Sequence, residues 1–323
     1  MTGQPKSRVL VIKHGALGDF LLSVGPMQAI RRHHPDARLT LLTRPAYRDL
    51  GAATGVFDEV LTDDQPGLMN PLGLLRLRSV LRRAGADRIY DLQTSNRTAW
   101  YFRLCGPAAP DWSGKVAGSS HRHVYPADHK MHTIERQRDQ LAIAGLHDVP
   151  LADLGFLDGD IDEFNLPDRL AILIPAASPD RPAKRWPSER YAELARGLIS
   201  RGLSPVIVGG TDATGIARQI SEAAPGTVDL TGRTSFGQLA AIARRAQLAV
   251  GNDTGPTHLI SLAGCPDTRS VRRGLEPRKD RTGWAGRARG AGGESGADRS
   301  CRRPGEFAFG LTWRRRRCGI SNR

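Results

Sequence analysis

The sequence predicts an α/β protein built from two parallel-sheet halves. Short β-rich apolar runs alternate with longer amphipathic stretches, several runs end in glycine-punctuated turns, and the alternation stops over an acidic, weakly periodic stretch at 148–168 before resuming. Parallel strands buried on both faces read as near-continuous apolar runs, and the helices between them as longer segments of three-to-four-residue period. A chain of 323 residues is long enough for two ordinary cores of this kind.

The first half opens with the strand Arg8–Lys13 (RVLVIK), the turn His14–Asp19 (HGALGD) and a helix over about Phe20–His34. Leu39–Thr43 is a second strand, which Arg44-Pro45 stops, with the proline opening the next helix. Val56–Leu61 is a weak third strand, Leu72–Ala84 a helix, and Arg88–Leu92 a fourth strand that feeds Thr94–Cys105. His132–Gly145 closes the half as a helix ending on a C-cap glycine. In the second half, Leu170–Pro175 (LAILIP), Ser204–Gly209, Thr227–Leu230 and Leu248–Gly251 read as strands. Pro187–Arg201, Ala213–Ala223, Ser235–Ala246 and Thr254–Ala263 read as helices. Such alternation gives parallel sheets with right-handed crossovers, hence two Rossmann-like halves. Two such halves facing a cleft define the GT-B architecture of nucleotide-sugar transferases. By periodicity alone, two-domain dehydrogenases and periplasmic binding proteins fit nearly as well.

The expected domains are 1–160, 161–266 and a tail, 267–323. After Gly264-Cys265-Pro266 a further apolar strand is due, yet the last 57 residues hold only four large aliphatics, Val271, Leu275, Leu311 and Ile320. The second domain therefore reads as incomplete at its C-terminal end. The tail reads as disordered, or as a frameshifted reading of a GC-rich gene, because so little apolar area cannot offset the entropy of ordering. It also carries most of the net charge of +14, with fifteen Arg and one Lys against six acids, while the first 266 residues are close to balanced. Basicity confined to a tail argues against a nucleic-acid-binding body. Four well-separated cysteines (Cys105, Cys265, Cys301, Cys318) offer neither zinc spacing nor a disulfide framework. No apolar run approaches the length of a membrane span, and Val9–Ile12 is too short for a signal sequence, so a cytoplasmic protein is expected.

Three segments carry candidate chemistry. In Gly15-Ala16-Leu17-Gly18-Asp19, glycines at a strand's carboxyl end let backbone approach a ligand. Lys13, Gly15 and Gly18 are expected to line the cleft. Asp19, taken alone, also reads as an acid complementing a helix dipole. The spacing departs from G-x-G-x-x-G and does not favour a dinucleotide cofactor. In Gly251–His258 (GNDTGPTH), Thr254 and Gly255 place amides at a helix N-terminus, a ready anion site, and His258 lies one turn further on the same face. In Lys184-Arg185-Trp186-Pro187, Lys184 projects from a loop at a strand's carboxyl end, either toward a diphosphate or simply into solvent. Asp158-Gly159-Asp160 superficially matches a metal-binding D-x-D, but in a connecting segment it reads as a solvated turn. Leu72–Ala84 interleaves leucines with Arg76, Arg78, Arg82 and Arg83, a pattern shared by helices packed on a sheet and helices lying on an anionic surface.

In this order the three segments resemble glycosyltransferase family 9, the ADP-heptose:lipopolysaccharide heptosyltransferases. KHGALGD (Lys13–Asp19) matches the G-x-x-G-D of its N-terminal pattern with a lysine just ahead, Lys184–Pro187 its K-x-W-P, and Gly251–His258 its G-N-D-[ST]-G-P-x-H. Tyr90-Asp91-Leu92-Gln93 before Arg97, and His132–Arg136, add support over a resemblance spanning about residues 8–266. The resemblance implies an inverting, metal-independent transfer of heptose or a related sugar from ADP-heptose to the lipid A-linked inner core of lipopolysaccharide. It implies Asp19 as base, with Lys184, Asp253, Thr254, Gly255 and His258 binding the donor. No cofactor is implied, since the nucleotide sugar is a co-substrate, and peripheral contact with the inner membrane is expected. The family often places an acid after Val208-Gly209-Gly210 to hold the donor ribose, and here Asp212 is the candidate. The alternatives are an inactive frameshifted remnant of such an enzyme and a Rossmann-type nucleotide-sugar epimerase or oxidoreductase.

Overall fold

The structure is a computed structural model that describes residues 7–67, 69–106, 109–124, 131–176, 186–272 and 275–279. It divides into two compact units, each considered separately. The first comprises the chain up to Phe164 with Ser235–Ile242 and His258–Ala263; the second comprises Asn165–Thr234, Ala243–Thr257 and residues from Gly264 on.

In the first unit the chain runs β1 (Arg8–Ile12), α1 (Leu17–Leu22), α2 (Val24–His33), β2 (Arg38–Thr43), α3 (Arg48–Ala53) and β3 (Glu59–Thr62). It continues as α4 (Pro71–Ala84), β4 (Arg88–Asp91), α5 (Asn96–Cys105), β5 (Asp111–Gly114), β6 (His121–Arg122) and α6 (Thr133–Ile143). The six strands form one parallel sheet in the order β3-β2-β1-β4-β5-β6. β1 is central because its apolar run allows burial of both faces: Val9, Leu10, Val11 and Ile12 are all enclosed. On one face Leu10, Ile12 and Leu42 meet Leu77 and Leu81 of α4 and Tyr101 of α5, with Trp112 of β5 completing the core.

The single helix expected over Phe20–His34 is two helices. The break falls at Ser23, whose hydroxyl donates to the Asp19 carbonyl at 2.6 Å and competes with the helical ladder. Ser95 opens α5 with a reciprocal capping box to Thr98, which moves the expected start at Thr94 two residues on.

The second sheet uses β7 (Leu170–Ile174), β8 (Ser204–Ile207), β9 (Val228–Asp229), β10 (Leu248–Asn252), β11 (Thr268–Arg272) and β12 (Leu275–Lys279). Its order is β12-β11-β10-β7-β8-β9, parallel except for the antiparallel β11–β12 pair. Between the strands lie α7 (Ser188–Ile199), α8 (Thr214–Ala223), α9 (Phe236–Arg245) and α10 (Gly255–Leu262). Tyr191, Leu194 and Leu198 of α7 pack with Ile220 of α8 and the buried β7, β8 and β10 residues.

The absence of a strand after Pro266 is corrected by β11. Its sequence, TRSVR, carries one aliphatic, Val271, which is fully buried; pairing with β10, not apolar content, makes it a strand. Residues 280–323 of the expected tail lie outside the described residues.

Candidate functional site

The glycine turn leaves the end of β1 and enters α1. Gly15 has a φ of +108°, and a Cβ there would run into the Tyr47 ring, so both the backbone and the space demand glycine. A Cβ on Gly18 would come 2.6 Å from Cδ2 of His258, so the imidazole lies against the turn's backbone; both residues belong to the first unit. His258, the last residue of the third motif, thus lies against the turn of the first. Asp19 follows in the first turn of α1 with its carboxylate exposed. Its Oδ1 accepts from the Thr133 hydroxyl at 3.4 Å.

Beneath the turn lies a buried polar layer. Lys13, expected to line the cleft, is only 2% exposed, and its ammonium donates to the Leu92 carbonyl at 3.2 Å. Gln137 of α6 donates to the same carbonyl at 3.3 Å and to Ser23 Oγ at 2.8 Å; Ser23 in turn holds the Asp19 carbonyl. Thr133 and Gln137 lie one turn apart on α6, so one helix face reaches Asp19 through both its side chain and its backbone. The stretch Tyr90–Gln93 supplies the rest. Asp91 Oδ1 accepts the amides of Gln93 and Thr94, and Gln93 Oε1 accepts the amide of His14 at 3.0 Å. Burial lowers the Lys13 pKa to about 8; the charges of Asp19 and Asp91 oppose that shift and Arg136 reinforces it. Burial pushes the Asp91 carboxyl up, against its bonds from Thr98 and the Thr94 amide.

A second buried group went unread in the sequence. Nε2 of His14 is 3.0 Å from Asp63 Oδ2, although neither ring nitrogen makes an aligned hydrogen bond among the described residues. The Tyr101 hydroxyl donates to the same Asp63 carboxylate, and its ring meets His14 edge-on at 5.8 Å. Burial pushes the Asp63 carboxyl up, but His14, Tyr101 and the Gln65 amide outweigh it and hold the group below the ordinary value. Nothing local marks Asp63: it is one of two adjacent acids after a weak strand.

In the second unit, the organising residue is Asn252, at the end of β10. Its Nδ2 donates to the carbonyls of Pro175 (2.7 Å) and Ala176 (3.2 Å), and its Oδ1 accepts the Trp186 amide at 3.0 Å. One buried side chain therefore ties both flanks of the segment 177–185. Lys184 and Arg185 lie within that segment, outside the described residues. The Asn252 carbonyl accepts the hydroxyls of Thr257 (2.6 Å) and Thr254 (3.3 Å), which fixes the turn through half-buried Asp253 and Thr254 to Gly255, the first residue of α10. The early amides of a helix lack intrahelical acceptors and suit an anion. Asp212 is exposed on a 3-10 turn, Thr211–Ala213. Among the described residues no group of three or more His, Cys, Asp or Glu could hold a metal ion, and no helix is long and apolar enough to cross a membrane.

Two Rossmann-like α/β units in one chain are the architecture of the GT-B glycosyltransferases. The pattern of glycosyltransferase family 9 (heptosyltransferase) matches residues 74–263, and the chain belongs to that family. Lipopolysaccharide heptosyltransferase 3 of Escherichia coli K12 is 23% identical over 275 residues, covering 77% of this chain and 78% of that protein. The glycosyltransferase family 9 structure from Veillonella parvula superposes with a TM-score of 0.69 at 22% identity, over 81% of this chain and 79% of the other. The E. coli ADP-heptose lps heptosyltransferase II superposes with a TM-score of 0.65 at 20% identity, over 80% and 83%.

Proposed function

We propose that this glycosyltransferase moves heptose, or a closely related sugar, from ADP-heptose to the inner core of lipopolysaccharide with inversion and without a metal ion. The observation that carries the proposal is the exposed Asp19 carboxylate on a turn whose Gly18 backbone is covered by His258. Asp19 takes the proton from an acceptor hydroxyl as that oxygen attacks the anomeric carbon from the face opposite the leaving group. The bond from the anomeric carbon to the donor phosphate breaks, and the electron pair leaves on ADP. The amides of Thr254 and Gly255 with the α10 dipole, Lys184 and His258 offset that negative charge, while Asp253 and Asp212 orient the donor. Fixed cationic and N–H donors then do what a divalent ion does in other transferases. The donor and acceptor classes are supported by the family and by what the E. coli relatives are named for. Heptose transfer to a lipid-linked core calls for work at the cytoplasmic face of the inner membrane.

The test is ADP release from ADP-heptose with a Kdo-terminated acceptor. Turnover is expected in excess chelator, the product linkage is expected to have inverted configuration, and Asp19→Ala is expected to abolish release. Full turnover by that variant overturns Asp19 as base, and loss of turnover on chelation overturns metal independence.

A further inference from the structure

We infer that the outer surface of the α4–α5 layer is a docking face for an anionic lipid bilayer. The two helices pack on each other over one face of the first sheet, with Leu77, Leu81, Ala84 and Tyr101 turned into the core. Their other side is left outward. On α4, after Pro71 at its start, the exposed residues are Leu72, Leu75, Arg76, Ser79, Arg82 and Arg83, a stripe at three- and four-residue spacing. On α5 they are Asn96, Trp100 and Arg103.

Two properties set this surface apart. Met69 just ahead of α4 is 96% exposed, Leu72 68%, Leu75 59% and Trp100 44%, which places four of the seven large exposed hydrophobics of the described residues here. The two helices carry six arginines and neither Asp nor Glu; Arg76, Arg82, Arg83 and Arg103 are exposed, Arg83 also pairing with Glu59 at 3.4 Å, while Arg78 and Arg97 are half-buried. Arg103 lies over the Trp100 ring at 4.6 Å, a cation held against an amphipathic aromatic. Aliphatics at one end of a helix and arginines along the rest match a headgroup boundary: the apolar end enters the acyl edge while guanidinium groups meet phosphate. Charge decides between occupants. A second copy would bring the same arginines face to face in an isologous contact, and a nucleic acid gives Met69, Leu72 and Leu75 nothing apolar to bury against. An anionic bilayer satisfies both properties. The proposal deepens the transferase assignment by giving a lipid-linked acceptor a surface on which it is met.

The experiment is hydrogen exchange on the full chain with vesicles of phosphatidylcholine alone or mixed with phosphatidylglycerol. A positional readout is needed because the arginines of 267–323 will also be drawn to anionic lipid. Protection of residues 69–79 and 97–104, seen only with the anionic vesicles, is expected. Arg76→Glu/Arg82→Glu should lower partitioning at least about tenfold, from roughly fivefold per basic residue near such a surface. Leu72→Ser/Leu75→Ser/Trp100→Ser should lower it comparably, with thermal unfolding unchanged because all three side chains are exposed. Protection confined to residues beyond 266, or partitioning unaffected by both variants, overturns the inference. Equal protection by heparin overturns it in favour of a general polyanion site, and protection in lipid-free solution at high protein concentration does so in favour of self-association. ADP release with a water-soluble acceptor, measured in parallel, keeps the two proposals apart: protection without turnover sinks only the transferase assignment, and turnover without protection sinks only the docking face.

Discussion

Replacing Lys13 by Met should make the protein more stable at neutral pH while impairing its chemistry. Lys13 is buried and makes its hydrogen bond to Leu92 O, an acceptor that Gln137 also serves, so removing the ammonium leaves no carbonyl unpaired. Met keeps the length and apolar stem. The ammonium has a pKa of about 8 against a reference of 10.5. At about 1.4 kcal/mol per pH unit, holding it protonated costs about 3 kcal/mol at pH 7. Between pH 8 and 10.5 the unfolded chain binds the proton and the folded chain does not, so wild-type stability rises with pH across that window. The cost is fully present below pH 8 and is relieved by the upper end. Lys13→Met should therefore gain about 3 kcal/mol at pH 7, with the gain fading as pH approaches 10.5. Urea unfolding at several pH values, with hydrogen exchange of the β1 and β4 amides to localise the effect to the first unit, measures it. A destabilised variant at pH 7, or a gain that does not change between pH 7 and 10.5, refutes the reasoning. Turnover should fall, because the positive charge coupled to Asp19 and Asp91 is gone.

Asn252→Ala should cost about 2–4 kcal/mol, since three hydrogen bonds made by one buried side chain, worth about 1 kcal/mol each, are lost. Asn252→Asp should cost more, because it turns an acceptor toward two carbonyls; a shift in urea midpoint smaller for Asp than for Ala counts against the clasp. Gly18→Ala puts a methyl into the His258 ring and should cost about 1–3 kcal/mol of overpacking. If that appears at the transition state, kcat/KM falls roughly ten- to hundredfold, and an unchanged urea midpoint refutes the contact of His258 with the turn. Tyr101→Phe removes a buried donor to Asp63 and should cost about 1–2 kcal/mol. Asp63 contributes stability above its unfolded pKa and loses it as pH falls through the lower folded value, so the variant's acid unfolding should begin at higher pH.

What the sequence displayed of the fold was governed by where apolar content was concentrated. β1, β2, β7 and β10 are runs that no other element explains, and they were found within a residue or two. β5 (DWSG) and β11 (TRSVR) each bury one large apolar side chain, Trp112 or Val271, and β6 spans only two residues, so pairing more than apolar content defines them. At the site, residue type was informative and depth was not. The glycine turn, Asp19 and the helix start at Thr254-Gly255 could be read because few local structures require such residues in that order. That Lys13 would be buried, that Asp63 would meet His14 and Tyr101 from distant parts of the chain, and that Asn252 would hold Trp186 are consequences of tertiary packing. Local periodicity carries no trace of them.

The way β11 is held bears on how freely this end of the protein can vary. A ladder on either side, parallel to β10 and antiparallel to β12, engages peptide groups that every residue except proline provides alike. Among the described side chains of the strand only Val271 is buried, so the position selects for a backbone and one modest hydrophobe more than for any particular wording. Substitutions in β11 that avoid proline and keep a hydrophobe at Val271 should still leave a fifth parallel ribbon in the sheet.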